Sequence, residues 1–369
     1  MGLDQYCLLG RSGLRVSRLA LGTMTFGGEW GWGSDQSVAR ELFDLYLDRG
    51  GNFIDTADMY TDGTSERWLG EFIESAGVRD RVVLASKYSF NTDAGNPNGG
   101  GNHRKNLMRS LEGSLRRLRT DYIDLYYLHI WDRMTPVDEV MRAMADAVRA
   151  GKIRYVGLSD VPAWYAARAQ TLAQWRGFEP VAAIQVEYSL IERSPELEFA
   201  DLSGELGMGL VPWSPLSMGL LSGRYKPGVD GKFGEGRLQT TADSNRPAFN
   251  RFSARNFEIV AALEKVAISI GKPMAQVAIK WLSLQRGVSS IIVGATRAAQ
   301  LRETLGSLDF DLPASMVQEL DRKTKPEAPF PYYLFGDVQQ ARVHGGVEVT
   351  TAPSHYRLPT TVPPGKSGA

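Results

Sequence analysis

With a single cysteine, Cys7, the chain cannot close an internal disulfide. Its four histidines, His103, His129, His344 and His355, do not cluster as metal ligands, so no metal is expected. Neither sign of charge is in excess, since 42 basic residues face 42 acidic ones. Without a basic surplus to displace counterions, general nucleic-acid binding is excluded. No apolar run approaches the roughly 20 residues of a membrane span. Residues 1–17 carry Asp4, Arg11 and Arg15 and lack a signal-type apolar stretch, so a soluble cytoplasmic protein is expected. Phosphate-binding glycine motifs are also missing. Gly31-Trp32-Gly33 runs on to Gln36 where a dinucleotide fingerprint needs glycine, and Gly365-Lys366-Ser367 follows Thr360 where a Walker loop needs one.

What is present is an alternation. After a hairpin at 6–9 and 14–17, eight short apolar or β-branched runs read as strands: Leu19–Gly22, then 53–57, 82–87, 123–129, 156–160, 183–188, 210–213 and 290–294. Between them lie stretches with helical spacing, such as Leu107, Leu111, Leu115 and Leu118, or Val137, Val140, Met144 and Val148. Eight strand–helix units in about 300 residues fit a (β/α)8 TIM barrel better than an open doubly wound sheet. Residues 1–345 are expected to form this one catalytic domain, and 346–369 to be a disordered proline-rich tail. Segments 88–102 and 214–251 are too long for plain connectors. Both follow strands, so both should overhang the C-terminal rim, where barrels bind ligands.

Three ionisable residues sit inside or at the ends of consecutive apolar strands: Asp55, Lys87 and His129. In a parallel barrel those strands are neighbours, so Asp55 and Lys87 are expected to meet, with His129 one strand further on. Burying a lone charge costs several kcal/mol, so each needs a partner. A buried structural ion pair with a core histidine explains any one of these residues, but three at the rim favour chemistry. Tyr60 follows Asp55 by five residues. A free phenol, with a pKa near 10, is a poor acid at neutral pH, and a lysine ammonium beside it is expected to lower that value. Asp55 would keep Lys87 charged, and a neutral His129 would hydrogen-bond a substrate oxygen. The set suits a carbonyl becoming an alkoxide, and it lacks an obvious nucleophile, so the missing reagent is a hydride from a cofactor.

The run from Gly51 to Tyr60, with Gly63-Thr64-Ser65-Glu66 and Leu69-Gly70 behind it, resembles the first signature of the aldo-keto reductases, and the likeness extends over residues 6–345. The pattern is similar to the aryl-alcohol dehydrogenase-like and channel β-subunit-like branches. The resemblance implies a catalytic tetrad of Asp55, Tyr60, Lys87 and His129, with Tyr60 as the general acid. It also implies NADPH as cofactor. Ser159, Asp160 and Gln185 match the positions that hold the nicotinamide carboxamide, although asparagine is commoner than Asp160, and Trp213 matches the ring that stacks on the nicotinamide. Gly22, Thr23 and Met24 are implied contacts after the first strand. Ser214, Pro215, Leu216, Gly219, Leu220 and Arg224 resemble the loop over the pyrophosphate. Val293, Gly294, Ala295, Thr296 and Arg297 lead into a helix holding Gln300 and Glu303. Arg297 there would pair with a ribose 2′-phosphate, while Thr304 replaces the usual asparagine.

Trp30, Trp32, Tyr88 and Trp131 follow strands and are expected to ring the substrate carbonyl, suiting an aryl or other bulky apolar aldehyde or ketone. Sugar-like ketones are compatible too. Two rivals remain open. One is a regulatory cofactor-sensing binding subunit on the same fold, as in potassium-channel β subunits. The other is a lyase using Lys87 as a Schiff-base amine, which needs a neutral lysine that Asp55 should oppose. Oligomeric state is not legible.

Overall fold

The computed structural model describes residues 2–226, 233–234, 236–240, 249–345 and 347. Parts of the expected rim loop (227–232, 235 and 241–248), and all of the tail but residue 347, lie outside the described residues.

Alternating apolar and polar positions need a sheet with two different faces, and here both faces are buried. A two-stranded antiparallel hairpin, β1 (Cys7–Leu8) and β2 (Arg15–Val16), precedes eight parallel strands. These are β3 (Leu19–Gly22), β4 (Phe53–Asp55), β5 (Val83–Tyr88), β6 (Ile123–Leu128), β7 (Ile153–Ser159), β8 (Val181–Glu187), β9 (Gly209–Trp213) and β10 (Ile291–Val293). They pair in the order β10-β3-β4-β5-β6-β7-β8-β9. The remaining seam is closed just ahead of β10: Leu210 N–H donates to Gly287 O (2.8 Å), and Ser289 N–H donates to Leu210 O (2.9 Å). With helices between successive strands, this is a (β/α)8 TIM barrel behind an N-terminal hairpin.

Strand parity divides the core in two. Ala20, Phe53, Val83, Ala85, Leu125, Tyr127, Ala183, Val211 and Ile292 fill the barrel interior, together with Leu9 and Val16 of the hairpin. Their strand neighbours, such as Leu21, Ile54, Leu84, Tyr126, Leu158 and Ile184, belong to the outer core under the helices. Leu107, Leu111, Leu115 and Leu118 are all buried on the helix Arg104–Leu118, as their spacing requires. Inside the barrel, Tyr127 fits only because position 157 is glycine, where a Cβ would lie 2.3 Å from the Tyr127 ring.

Because side chains repeat every two residues along a strand, the inward set continues upward from Phe53 to Asp55 and from Ala85 to Lys87. The bottom of the barrel is thus apolar and plugged by the hairpin, and its top carries the ionisable residues. Among the described residues, no helix is long and apolar enough to cross a membrane, and no group of His, Cys, Asp and Glu is arranged to hold a metal.

Candidate active site

At the top of the barrel the Lys87 ammonium makes three contacts. It donates to Asp55 Oδ1 (2.5 Å), to the Thr56 carbonyl (2.9 Å) and to the Tyr60 hydroxyl (3.1 Å). Lys87 is fully buried and Asp55 only 2% exposed, so the pair is desolvated and its geometry fixed. The other Asp55 oxygen accepts from Gln185 Nε2 across the barrel (2.9 Å). The backbone leaving β4 stays tied to β5, with Asp58 N–H donating to Lys87 O (3.1 Å). That extension carries the chain to Tyr60, which is followed by left-handed backbone at Thr61, Asp62 and Gly63 (φ 47°, 54° and 83°). The Tyr60 ring meets the His129 ring edge-on, with centroids 5.7 Å apart.

Burial works against the Lys87 charge, but the Asp55 carboxylate and the Tyr60 oxygen raise its pKa above the ordinary value. All three ammonium hydrogens are engaged, so no lone pair is available for Schiff-base attack. Burial likewise governs Tyr60, pushing its pKa up while Lys87 pulls it back. The expectation of a lowered phenol pKa is therefore corrected, because desolvation exceeds the attraction of the ammonium. The lysine effect shows by contrast: Tyr126 and Tyr127, equally enclosed without such a partner, are pushed well above the ordinary value. Burial, and then Lys87, hold His129 well below its usual pKa, so its imidazole is neutral, and its enclosed Nδ1 makes no hydrogen bond.

Beside this group, the ends of β7, β8 and β9 hold Ser159, Gln185 and Trp213. Ser159 is buried with its hydroxyl unpartnered, an acceptor and donor waiting for a polar ligand. Asp160, in left-handed backbone (φ 45°), accepts from the Trp213 indole (3.0 Å), and burial raises its carboxyl to about 6. Ser214, Ser217, Met218 and Gly219 all have positive φ (54°, 47°, 56° and 95°) in one turn after β9, and buried Ser217 Oγ is unpartnered. Such turned backbone presents N–H groups to anions. Ser217 and Met218 escape sequence reasoning because left-handed backbone at non-glycine residues has no compositional mark.

Pro215 is buried and Leu216 half-buried in that turn, and Arg224 is exposed. The Leu220 side chain is sunk in the outer core, so only its backbone can face a ligand. The Thr23 hydroxyl donates to the Asp55 carbonyl (3.0 Å), knitting β3 to β4, with Gly22 buried and Met24 half-buried beside it. Val293, the last residue of β10, and Ala295 are buried, Gly294 is exposed, and Thr296 donates from both its N–H (3.0 Å) and its hydroxyl (3.1 Å) to Gln300 Oε1. Arg297 is exposed at the N-cap of the helix Ala298–Leu305, and Glu303 is exposed on that helix. The unpartnered hydroxyls of Ser159 and Ser217 and the turned backbone at 214–219 fit a polar, anionic group such as a dinucleotide.

Of the aromatic residues expected around a substrate carbonyl, Trp30 packs edge-on to Tyr60 (6.3 Å) and against Trp32 (5.5 Å). Tyr88 does not join them. It is the next residue after inward-facing Lys87, so parity turns it outward, where it stacks on Tyr126 and donates to Asn102 O. Trp131 also lies elsewhere, against Trp164 and Tyr165 on the outer side. Two residues not foreseen are present instead: Phe90, edge-on to His129 (5.0 Å), and Arg237, whose guanidinium lies over Trp32 at 3.8 Å.

The chain is 34% identical to an aryl-alcohol dehydrogenase [NADP(+)] of Phanerodontia chrysosporium over 93% of this chain and 90% of that protein. It is also 34% identical to a norsolorinic acid reductase of Emericella nidulans (89% and 84% covered), and 36% identical to an uncharacterized oxidoreductase, YrpG, of Bacillus subtilis (86% and 95% covered). The model of the aldo/keto reductase family matches residues 18–325, a span that takes in β3 through β10, and the chain belongs to that family.

Proposed function

We propose that the chain is an NADPH-dependent oxidoreductase that reversibly reduces an aldehyde or ketone, whether aryl, aliphatic or sugar-like, to the alcohol, with residues 1–345 as one catalytic domain. The observation that carries this reading is the Lys87 ammonium shared between Asp55 and the Tyr60 hydroxyl at the barrel top.

Ser159, Asp160 and Gln185 would hold the carboxamide of a nicotinamide and Trp213 its ring, with the turn 214–219 at the pyrophosphate and Arg297 at a 2′-phosphate. A reduced nicotinamide held by these residues would supply the hydride that the carbonyl carbon needs. Tyr60, a neutral phenol at pH 7, gives its proton to the carbonyl oxygen as negative charge develops there. The Lys87 N–H directed at the Tyr60 oxygen stabilises the resulting phenolate, and Asp55 keeps Lys87 charged. Neutral His129 hydrogen-bonds the same oxygen without competing for the proton. In the oxidative direction the phenolate takes the alcohol proton back.

The test is NADPH consumption with a panel of aromatic and aliphatic aldehydes, for the intact chain and for Tyr60→Phe. The intact chain should turn over, and the variant should lose about 100-fold or more in kcat with NADPH affinity retained. Equal loss of both quantities would refute the assignment of Tyr60.

A further inference from the structure

The chain that carries Tyr60 also sets a second carboxyl behind the barrel wall. Past β4 the backbone stays paired to β5, with Thr56 N–H donating to Ala85 O (3.0 Å) and Asp58 N–H to Lys87 O (3.1 Å). Parity therefore sends Asp58 the same way as Ile54, away from the barrel interior and under the helices. Asp58 is 3% exposed there, and among the described residues neither of its carboxyl oxygens has a hydrogen-bond partner. The charged and titratable groups around it are Glu66 on the helix Thr64–Ala76, Arg109 and Arg117 on the helix Arg104–Leu118, and Tyr126 on β6. Tyr88 of β5 stacks on Tyr126, whose own hydroxyl is buried and unpartnered.

Glu66 is fully buried with both oxygens engaged, one accepting from Ser86 Oγ on β5 (2.5 Å) and the other from Arg117 Nε (2.7 Å). Arg109 turns to the loop after β5, donating to Gly99 O (2.6 Å) and Thr92 Oγ1 (3.2 Å). The gap thus holds two buried carboxyls and one ion pair, and an unpaired buried carboxylate is strongly disfavoured. Burial first, and then Glu66, push Asp58 up to about 7, while Arg117, Ser110 and Arg109 act the other way. Once ionised, Asp58 is repelled by Glu66 and has no donor of its own. It reaches water only by leaving the gap, and the chain two residues on carries Tyr60, whose hydroxyl accepts from Lys87. The carboxyl titrates at about 7 when seated and near its ordinary 3.8 in water. Rising pH therefore weakens the seat progressively from about pH 4 to about pH 7, and no further above that.

We propose that Asp58 is a positioning residue for Tyr60: its neutral side chain, seated between the barrel wall and the two helices, keeps the Tyr60 hydroxyl on Lys87, and loss of the Asp58 proton loosens that hold. This rests on the carbonyl reduction with Tyr60 as proton donor proposed above. The Asp58 carboxyl faces away from the crevice, so it acts through the backbone of residues 58–60. Arg117 braces the far end of the same turn, where a Cβ at Gly63 would lie 3.0 Å from its Cδ.

The experiment follows NADPH consumption with benzaldehyde for the full chain, Asp58→Asn and Asp58→Ala. Asparagine is a neutral isostere at every pH, so the ratio of its kcat to that of the intact chain should rise about tenfold between about pH 5.5 and about pH 8. The ratio cancels the ionisations of Asp160 and Glu187, which both chains share. Asp58→Ala, which empties the seat, should lose about tenfold in kcat at either pH while keeping the KM for NADPH. Infrared difference spectra of the intact chain against Asp58→Asn should show a protonated carboxyl at about pH 5.5 that is gone by about pH 8. A kcat ratio that does not change with pH overturns the proposal. So does full kcat in Asp58→Ala, or the absence of a protonated carboxyl at the lower pH. If no carbonyl compound consumes NADPH at any pH, the underlying function fails and takes this proposal with it, a result distinct from turnover with a constant ratio.

Discussion

A residue's neighbours, more than its type, decide its chemistry in this molecule. Tyr60, Tyr126 and Tyr127 are all enclosed, yet only Tyr60 has an ammonium donating to its oxygen, and it is shifted upward less than the other two. The same reasoning applies to Asp160. Burial raises its carboxyl from 3.8 to about 6, and the Trp213 indole only partly offsets this. A carboxyl whose folded pKa lies above its unfolded value holds its proton more tightly in the native state. Its ionisation therefore costs stability, from nothing below about pH 4 to the full amount above about pH 6. At roughly 1.4 kcal/mol per pKa unit the full cost is about 3 kcal/mol. Asp160→Asn keeps an acceptor for the indole and removes the charge. Denaturant unfolding of the cofactor-free chain should find the variant more stable by up to about 3 kcal/mol near pH 8, with the gain vanishing near pH 4. An equal gain at both pH values would show that the carboxyl does not titrate as described.

At the scale of elements, the connection from β4 to the helix Thr64–Ala76 does the positioning. It sets Tyr60 opposite Lys87 and then reverses through three left-handed residues, of which only Gly63 avoids a steric cost. A Cβ at position 63 would also sit 3.0 Å from Arg117 Cδ. Gly63→Ala should lower stability by about 1–2 kcal/mol and reduce kcat, because relief of the strain moves the turn that carries Tyr60. Gly63→Asn, which tolerates left-handed backbone better, should keep more of both; thermal unfolding and steady-state turnover would show the order. What the sequence discloses follows the same division. The strands were legible because apolar runs alternate with helical spacing, and parity then directs Asp55 and Lys87 inward with no further information. Parity also explains Tyr88, which lies one residue past Lys87 and so faces the helices. Loop paths obey no period. Phe90, Ser217 and Arg237 reach the crevice through connections shaped by left-handed turns and distant packing, and Trp131 leaves it for the same reason.

Across the whole molecule, stability and chemistry occupy opposite ends of one barrel. The N-terminal mouth is stoppered by the hairpin, whose Leu9 and Val16 are fully buried among Phe53, Val83 and Leu125. The hairpin is also latched from outside: Arg11 N–H donates to Gly207 O (2.8 Å), and Cys7 Sγ donates to Ser289 O (2.8 Å) beside the seam where the barrel closes. The ionisable residues stand at the other mouth, and no described hydrogen bond runs directly between the plug and the tetrad. A cavity at the plug should therefore lower the free energy of the entire fold without altering the geometry at Lys87. Leu9→Ala removes buried methyl groups in a closed space that cannot readily collapse, a change that costs about 2–5 kcal/mol in comparable cores. Denaturant unfolding should register that loss, while kcat/KM measured well below the melting temperature stays within about twofold of the parent, since additivity holds for separated sites. Tyr60→Phe should show the reverse, with turnover gone and the unfolding curve little changed. If Leu9→Ala instead lost activity in proportion to stability, the two mouths would be coupled through the inner core, with Tyr127 as the connecting side chain, since it packs in that core and Asp55 acts on its hydroxyl.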